Sequence, residues 1–118
     1  MTASLAGRRV LVTGGAGFIG GALTGRLVAA GARVTVVDDL TTGFERNVAQ
    51  GATFVRADVA DADAMRAVFA AGAFDVVLHL AAQVSNIVSQ KDPWLDFRTN
   101  VGGTMNVLEG LATHRIRG

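Results

Sequence analysis

The 118-residue chain is 50% hydrophobic and 18% charged, and eleven basic residues against ten acidic ones leave a formal net charge of +1. That balance suits one globular domain over 1–118 and argues against a nucleic-acid partner, because no basic stripe or basic–aromatic cluster stands out. The absence of cysteine removes disulfide and thiolate chemistry. No signal-peptide core or membrane-length apolar run is present, so the expectation is a cytoplasmic protein with no membrane partner.

Apolar runs then alternate with helix-like segments. "RRVLVTG" (8–14) reads as a strand and is followed by a glycine-rich loop. From Phe18 the spacing changes, and Ile19, Leu23 and Leu27 predict a helical face that stops at Gly31. "ARVTVVDDL" (32–40) and "ATFVRADV" (52–59) read as the second and third strands. Asp61 is placed to cap the helix "ADAMRAVFAAG", which ends in glycine. "FDVVLHLAA" (74–82) is the fourth and most apolar strand. Asp92-Pro93 looks like an N-cap and an N1 proline, opening a long helix with Phe97, Val101, Met105 and Leu108 along one face. Lys91 falls in the loop before it, and Trp94 and Phe97 suit helix packing better than base stacking.

Strands this apolar are covered on both faces, and strands separated by helices pair in parallel. Right-handed crossovers on one sheet give a Rossmann-type α/β fold with strand order 3-2-1-4 and flanking helices.

The loop "LVTGGAGFIGG" holds five glycines in eleven positions and reads in two registers. Gly15, Gly17 and Gly20 make G-x-G-x-x-G, while Gly14, Gly17 and Gly20 make T-G-x-x-G-x-x-G. In both, a strand turns tightly into a helix whose free amides and dipole can hold a pyrophosphate. Asp38 ends the second strand 18 residues beyond Gly20, where a carboxylate accepts the ribose hydroxyls of an adenosine. A 2′-phosphate would meet a like charge there, so NAD is favoured over NADP. No Lys-Ser or Lys-Thr follows the glycines, which excludes a P-loop. A methyltransferase uses the same glycine loop and acid, and those two features alone leave it open.

Five stretches together carry a more specific signal: "VTGGAGFIG", "VVDDLTTG", "RADV", "HLAAQV" and "TNVGGTMNVLE". In order and spacing they resemble extended short-chain dehydrogenases/reductases, within them the NAD-dependent nucleotide-sugar epimerase/dehydratase family, and UDP-glucose 4-epimerases in particular. The resemblance covers nearly all residues from about 8 to 112 and displaces the methyltransferase. It implies that Gly14, Gly17, Phe18, Ile19 and Gly20 form the pyrophosphate turn. It makes Asp38 the ribose ligand, with Asp39, Leu40, Thr41, Thr42 and Gly43 wrapping the adenosine edge. Asp58 and Val59 match the pair that meets the adenine, and Leu80, Ala81 and Ala82 match the strand end bordering the cofactor ribose. Asn100 matches the helix asparagine that supports the active site from behind. At Val84 the sequence departs from family members that carry lysine, which weakens assignment to a particular sugar epimerase.

Simpler roles compete at several positions. Ala81 and Ala82 are small enough to relieve crowding, and Asp58 can cap the next turn. His79, inside an apolar strand with no obvious carboxylate partner, reads as a satisfied structural histidine. His114 suits a helix C-terminus. Gly102 and Gly103 each weaken a helix interior by roughly 1 kcal/mol against alanine, which suggests close contact with a neighbour.

Family catalysis rests on a Tyr-x-x-x-Lys pair beyond a fifth strand, yet the chain has no tyrosine. The expectation is therefore a chain truncated before that strand, with no catalytic residue, no metal and no substrate domain. Its partner is NAD, and a nucleotide-sugar binds only if the missing C-terminal half is present. The alternative is a free-standing, non-catalytic NAD-binding or regulatory module. A strand 74–80 left without its outer neighbour suggests a homodimer through that edge.

Overall fold

Four short parallel strands form one sheet in the order β3-β2-β1-β4 in the computed structural model, which describes residues 4–83 and 85–116. They are β1 (Arg9–Thr13), β2 (Arg33–Asp38), β3 (Thr53–Arg56) and β4 (Val76–His79). The expected order is therefore observed, with each strand shorter than its apolar run. The departure at Val84, where some family members carry lysine, lies outside the described residues.

Side chains alternate across the sheet, so β1 feeds two cores. Leu11, with Val37 and Val77, packs against Met65, Val68 and Phe69 of α2 (Ala62–Gly72) and Val107 of α5 (Gly103–His114). Val10 and Val12, with Val34 and Val36, pack on the other face against Leu27 of α1 (Phe18–Ala29). Only a short 3-10 turn, Glu45–Asn47, interrupts the β2–β3 connection.

Most helix ends follow their local signals. Gly31 follows α1 with a φ of +88°, the left-handed conformation that a C-terminal glycine supplies. The Asp61 carboxylate accepts from Ala64 N at 3.0 Å and caps α2. Asp92 accepts from Leu95 N at 3.0 Å, and Pro93 opens α4 (Pro93–Phe97).

Helix faces depart further from expectation. The buried face of α1 is Gly20, Thr24 and Leu27, and Ile19 is 72% exposed. At the end of α2 the left-handed residue is Ala73, not Gly72. Gly72 instead makes room for Phe74, whose ring would overlap a Cβ there. The long helix expected after Pro93 is observed as one helical run to His114, with a π-helical turn over Arg98–Gly102 inside it and αR backbone at both junctions. Its anticipated apolar face points outward: Phe97, Val101, Met105 and Leu108 are 47–59% exposed. Trp94 and Phe97 meet edge to face at 6.2 Å but join no core. The buried face of α5 is Gly103, Val107 and Gly110. A Cβ on Gly103 would lie 2.6 Å from Val59 Cγ2, and one on Gly110 would overlap the Phe69 ring, so glycine brings α5 onto its neighbours. Gly102 meets nothing within 4 Å, so close contact explains only the second glycine of the pair. His114 ends α5 and stacks on Phe69 at 6.1 Å.

One helix has no counterpart in the sequence reading. α3 (Asn86–Lys91) starts after Ser85, whose hydroxyl accepts from Val88 N, and Lys91 is its last residue rather than a loop residue.

Candidate functional site

The carboxyl ends of the four strands open into a cavity of about 530 Å³. Ligands of open parallel sheets bind at that end, where the strand order reverses beside β1. Gly14, Gly17, Phe18, Ile19, Gly20, Asp38, Asp39, Thr41, Thr42, Asp58, Val59, Leu80, Ala81 and Ala82 all line it. Leu40, Gly43 and Asn100 do not. A second cavity of about 540 Å³ lies at the opposite ends of the strands beside Arg9 and Arg33, and shares none of these residues.

Steric contacts separate the glycines of the loop. Gly14 has a φ of +74°, and a Cβ on it would sit 2.7 Å from Ala81 N. A Cβ on Gly15 would strike Val36 at 2.6 Å, one on Gly20 would overlap Gly14 O, and one on Gly43 would reach Ala16 O at 2.7 Å. Gly14, Gly15 and Gly20 of the loop, and Gly43 of the turn after β2, are glycines because the chain packs against itself. Gly17 differs: a Cβ would meet only Gly14 O, at an ordinary 3.5 Å. Its missing side chain leaves open room above the start of α1, where no side chain caps the free amides. Of the two registers, the one through Gly14 faces the cavity, while Gly15 is buried against β2.

Asp38 is busier than a solvated strand end. Its Oδ2 accepts from Ala16 N at 3.0 Å and its Oδ1 from Leu40 N at 2.8 Å. It therefore ties the glycine loop to the 39–43 turn, where Leu40 takes a left-handed φ of +63°. Each carboxylate oxygen has two lone-pair sites, so acceptor capacity toward the cavity remains. Asp58 accepts from Ala60 N at 2.9 Å, as the turn-capping alternative required, and also lines the cavity. Ala81 packs behind Gly14 and against the α2–α5 core, whereas Ala82 is exposed at the cavity wall.

The far wall lies outside what the sequence motifs mark. Gln83, Ser85, Val88, Leu95 and Thr99 line it, on the β4–α3 connection, α3, α4 and the π turn. With α3 unrecognised, nothing in the sequence folds those residues back over the strand ends. Asn100 stands behind them: its Oδ1 accepts from Gln83 N at 2.7 Å and its Nδ2 donates to Gln83 O at 2.8 Å.

Thr13 and His79 hold the near wall. Thr13 Oγ1 accepts from Leu80 N at 3.1 Å and Ala81 N at 3.2 Å, which uses both of its lone pairs. Its hydroxyl hydrogen must then go to His79 Nδ1, 2.6 Å away. His79 is thereby a neutral imidazole with its proton on Nε2, which donates to Thr104 Oγ1 at 3.1 Å. Thr104 passes its own hydrogen to Asn100 O at 2.6 Å. Both ring nitrogens are satisfied, as a structural histidine requires.

Burial pushes the His79 pKa down from its ordinary value near 6.5. The unfolded chain thus binds a proton on this ring that the folded chain refuses. Stability should fall as pH drops below about 6.5, by up to about 1.4 kcal/mol per pH unit, until the folded-state pKa is passed. Urea unfolding of the parent and His79→Gln across pH 7.5 to 5 checks this. A variant with the parent's full pH slope would exclude His79 as the source.

Among the described residues no group of three or more His, Cys, Asp or Glu could hold a metal ion, and no helix is long and apolar enough to cross a membrane.

Residues 10–117 match the model of the NAD dependent epimerase/dehydratase family. The UDP-glucose 4-epimerase of Streptomyces lividans is 45% identical over 112 residues, which are 92% of this chain and 33% of that protein. The Thermus thermophilus UDP-glucose 4-epimerase, solved in complex with NAD, superposes with a TM-score of 0.87 at 44% identity, covering 92% of this chain and 35% of that one. The Thermotoga maritima UDP-glucose 4-epimerase, solved with UDP-glucose, gives a TM-score of 0.88 at 36% identity, covering 91% and 35%. The chain thus spans about a third of the length of these relatives.

Proposed function

The chain belongs to the NAD-dependent epimerase/dehydratase family, and from that premise we propose that it is the NAD-binding portion of a nucleotide-sugar epimerase/dehydratase of the UDP-glucose 4-epimerase type. The observation that carries this is Gly17, the glycine of the loop that faces the cavity and that no internal contact requires. Its bare backbone beside free helix amides fits a pyrophosphate, and Asp38, Asp58 and Ala82 surround the same space. In this reading the Gly17–Gly20 turn takes the pyrophosphate, Asp38 with the 39–43 turn takes the adenosine ribose, and Asp58–Val59 takes the adenine. Leu80 to Ala82 border the second ribose, backed by Asn100.

A sequence without tyrosine cannot supply the family's Tyr-x-x-x-Lys pair. The chain alone is therefore inactive in this reading, and the nucleotide-sugar is a partner of a longer polypeptide. Purified chain should bind ADP-ribose, NAD⁺ and NADH within a small factor of one another and show no turnover of UDP-glucose or UDP-galactose. Turnover that survives controls for contaminating full-length enzyme overturns the inactivity, and failure to bind any of the three overturns the cofactor site. The same missing tyrosine also suits a free-standing NAD-binding module. A reading frame continuing past Gly118 into Tyr-x-x-x-Lys favours the enzyme, and a stop codon favours the module.

A homodimer completes the proposal. β4 is an outer strand of the sheet, and Trp94, Phe97, Val101, Met105 and Leu108 are exposed apolar side chains at helical spacing on the run from α4 to α5. Large apolar side chains left exposed along one helical face suit an interaction surface. Light scattering over a concentration series should show a dimer that Met105→Asp with Leu108→Asp returns to monomer. A dimer indifferent to those changes assigns the interface to the β4 edge, and a monomer at high concentration removes it altogether.

A further inference from the structure

Asp96 lies in α4, behind the cavity wall. Its Oδ1 accepts from Asn100 Nδ2 at 3.0 Å and Gln83 Nε2 at 3.3 Å, and lies 3.0 Å from Ser89 Oγ. A carboxylate only accepts, so both amide side chains must turn their NH₂ ends toward it. Their carbonyl oxygens are thereby aimed away from Asp96, and both land on backbone amides. Asn100 Oδ1 takes Gln83 N at 2.7 Å, and Gln83 Oε1 takes Ser85 N at 2.6 Å. The second Asn100 hydrogen reaches Gln83 O at 2.8 Å. A flipped amide at either position would face Asp96 oxygen to oxygen and a backbone N–H nitrogen to nitrogen. Gln83 Nε2 also donates to Ser85 O at 3.1 Å and Ser89 Oγ at 2.8 Å. Asp96 is thus the acceptor shared by both amides, and it acts with these groups to hold the two amides that clamp two residues of the wall.

We infer that Asp96 is a positioning residue for the nucleotide site: by tying the Asn100 amide to the Gln83 amide and Ser89, it holds Gln83 and Ser85 where they close the cavity beside Ala81 and Ala82. The inference rests on the cofactor reading above, in which this wall borders the second ribose and the Gly17–Asp38–Asp58 side takes the adenosine. Asp96 itself touches no nucleotide. Its loss therefore affects ligands that extend along the wall and spares those that end at the adenosine.

The test is nucleotide titration of the parent, Asp96→Ala and Asp96→Asn with ADP-ribose and AMP, together with amide hydrogen exchange by NMR. Asp96→Ala should weaken ADP-ribose about tenfold, leave AMP within about twofold, and speed exchange at Gln83 and Ser85. Asp96→Asn retains an acceptor oxygen and the side-chain shape, so it should recover most of both effects. If the alanine variant does not fold, Asp96→Leu, which fills the same space without an acceptor, carries the test with the same expected losses. AMP and ADP-ribose weakened alike, or unchanged exchange at both amides, would overturn the role. A parent that binds neither nucleotide defeats the cofactor reading instead, and the exchange data then decide alone whether Asp96 orders the wall.

Discussion

Gly17→Val should weaken dinucleotide binding about a hundredfold in a chain that still folds, whereas Gly20→Ala should damage the fold itself. The two glycines are three residues apart in one motif, and the difference lies in what surrounds them. Gly17 has a φ of −79° that any residue adopts, and an added Cβ meets one atom at 3.5 Å. A valine there costs the free chain little, yet its methyl groups fill the room above the helix amides. Loss of about a hundredfold in NAD affinity, or about 2.7 kcal/mol, is expected. At Gly20 the added Cβ would overlap Gly14 O and lie 2.8 Å from Gly15 Cα, both backbone, so no side chain can swing aside. Overpacking of this kind costs about 1–3 kcal/mol, a large share of the roughly 5–15 kcal/mol that holds a domain together. Thermal unfolding and NAD titration of both variants separate the effects. Parent-like NAD binding by Gly17→Val would mean the pyrophosphate does not sit there.

Asp38→Ala should injure stability and affinity together. It leaves the Ala16 and Leu40 amides without their acceptor, at about 1–3 kcal/mol for each group that water does not reach. Loss of charge-assisted hydrogen bonds to the ribose adds about 1.5–3 kcal/mol in binding, about ten- to a hundredfold. Asp38→Asn keeps an acceptor oxygen and should be milder in stability than in affinity. The parent should prefer NAD to NADP, because a 2′-phosphate would approach this carboxylate. Equal binding of the two cofactors by the parent would remove Asp38 as the selector.

Much of this is legible in the sequence because it depends on short-range chemistry. Asp61, Asp92 and Gly31 mark helix ends through bonds and dihedrals that span a few residues. The sheet order follows from alternating apolar runs and crossover handedness, with no need to know which side chain meets which. Apolar spacing is ambiguous where a helix has more than one apolar face. From the π turn into α5 the stripe of large residues, Val101, Met105 and Leu108, is solvent-exposed, while the buried stripe is written in Gly103, Val107 and Gly110. Periodicity weighs size, and a glycine that lets Phe69 approach carries no weight in it. Ile19 misleads in the same way, being apolar for the cavity and not for the core. The far wall stays hidden because α3 is six residues long with a polar cap, and the π turn gives no compositional sign.

Strand β1 sits at the centre of the sheet, and its position sets a schedule for synthesis. Val10 pairs with Val34 on one side and Val76 on the other. The second neighbour thus emerges 66 residues after the strand it must join. At about 5–20 residues per second on the ribosome, the wait is about 3–13 s. Throughout it, a strand whose Val10, Leu11 and Val12 end almost wholly buried has one hydrogen-bonding edge open to any passing chain. The vulnerable moment comes before β4 has emerged, and chaperones that bind nascent apolar segments would find their target in Val10, Leu11 and Val12.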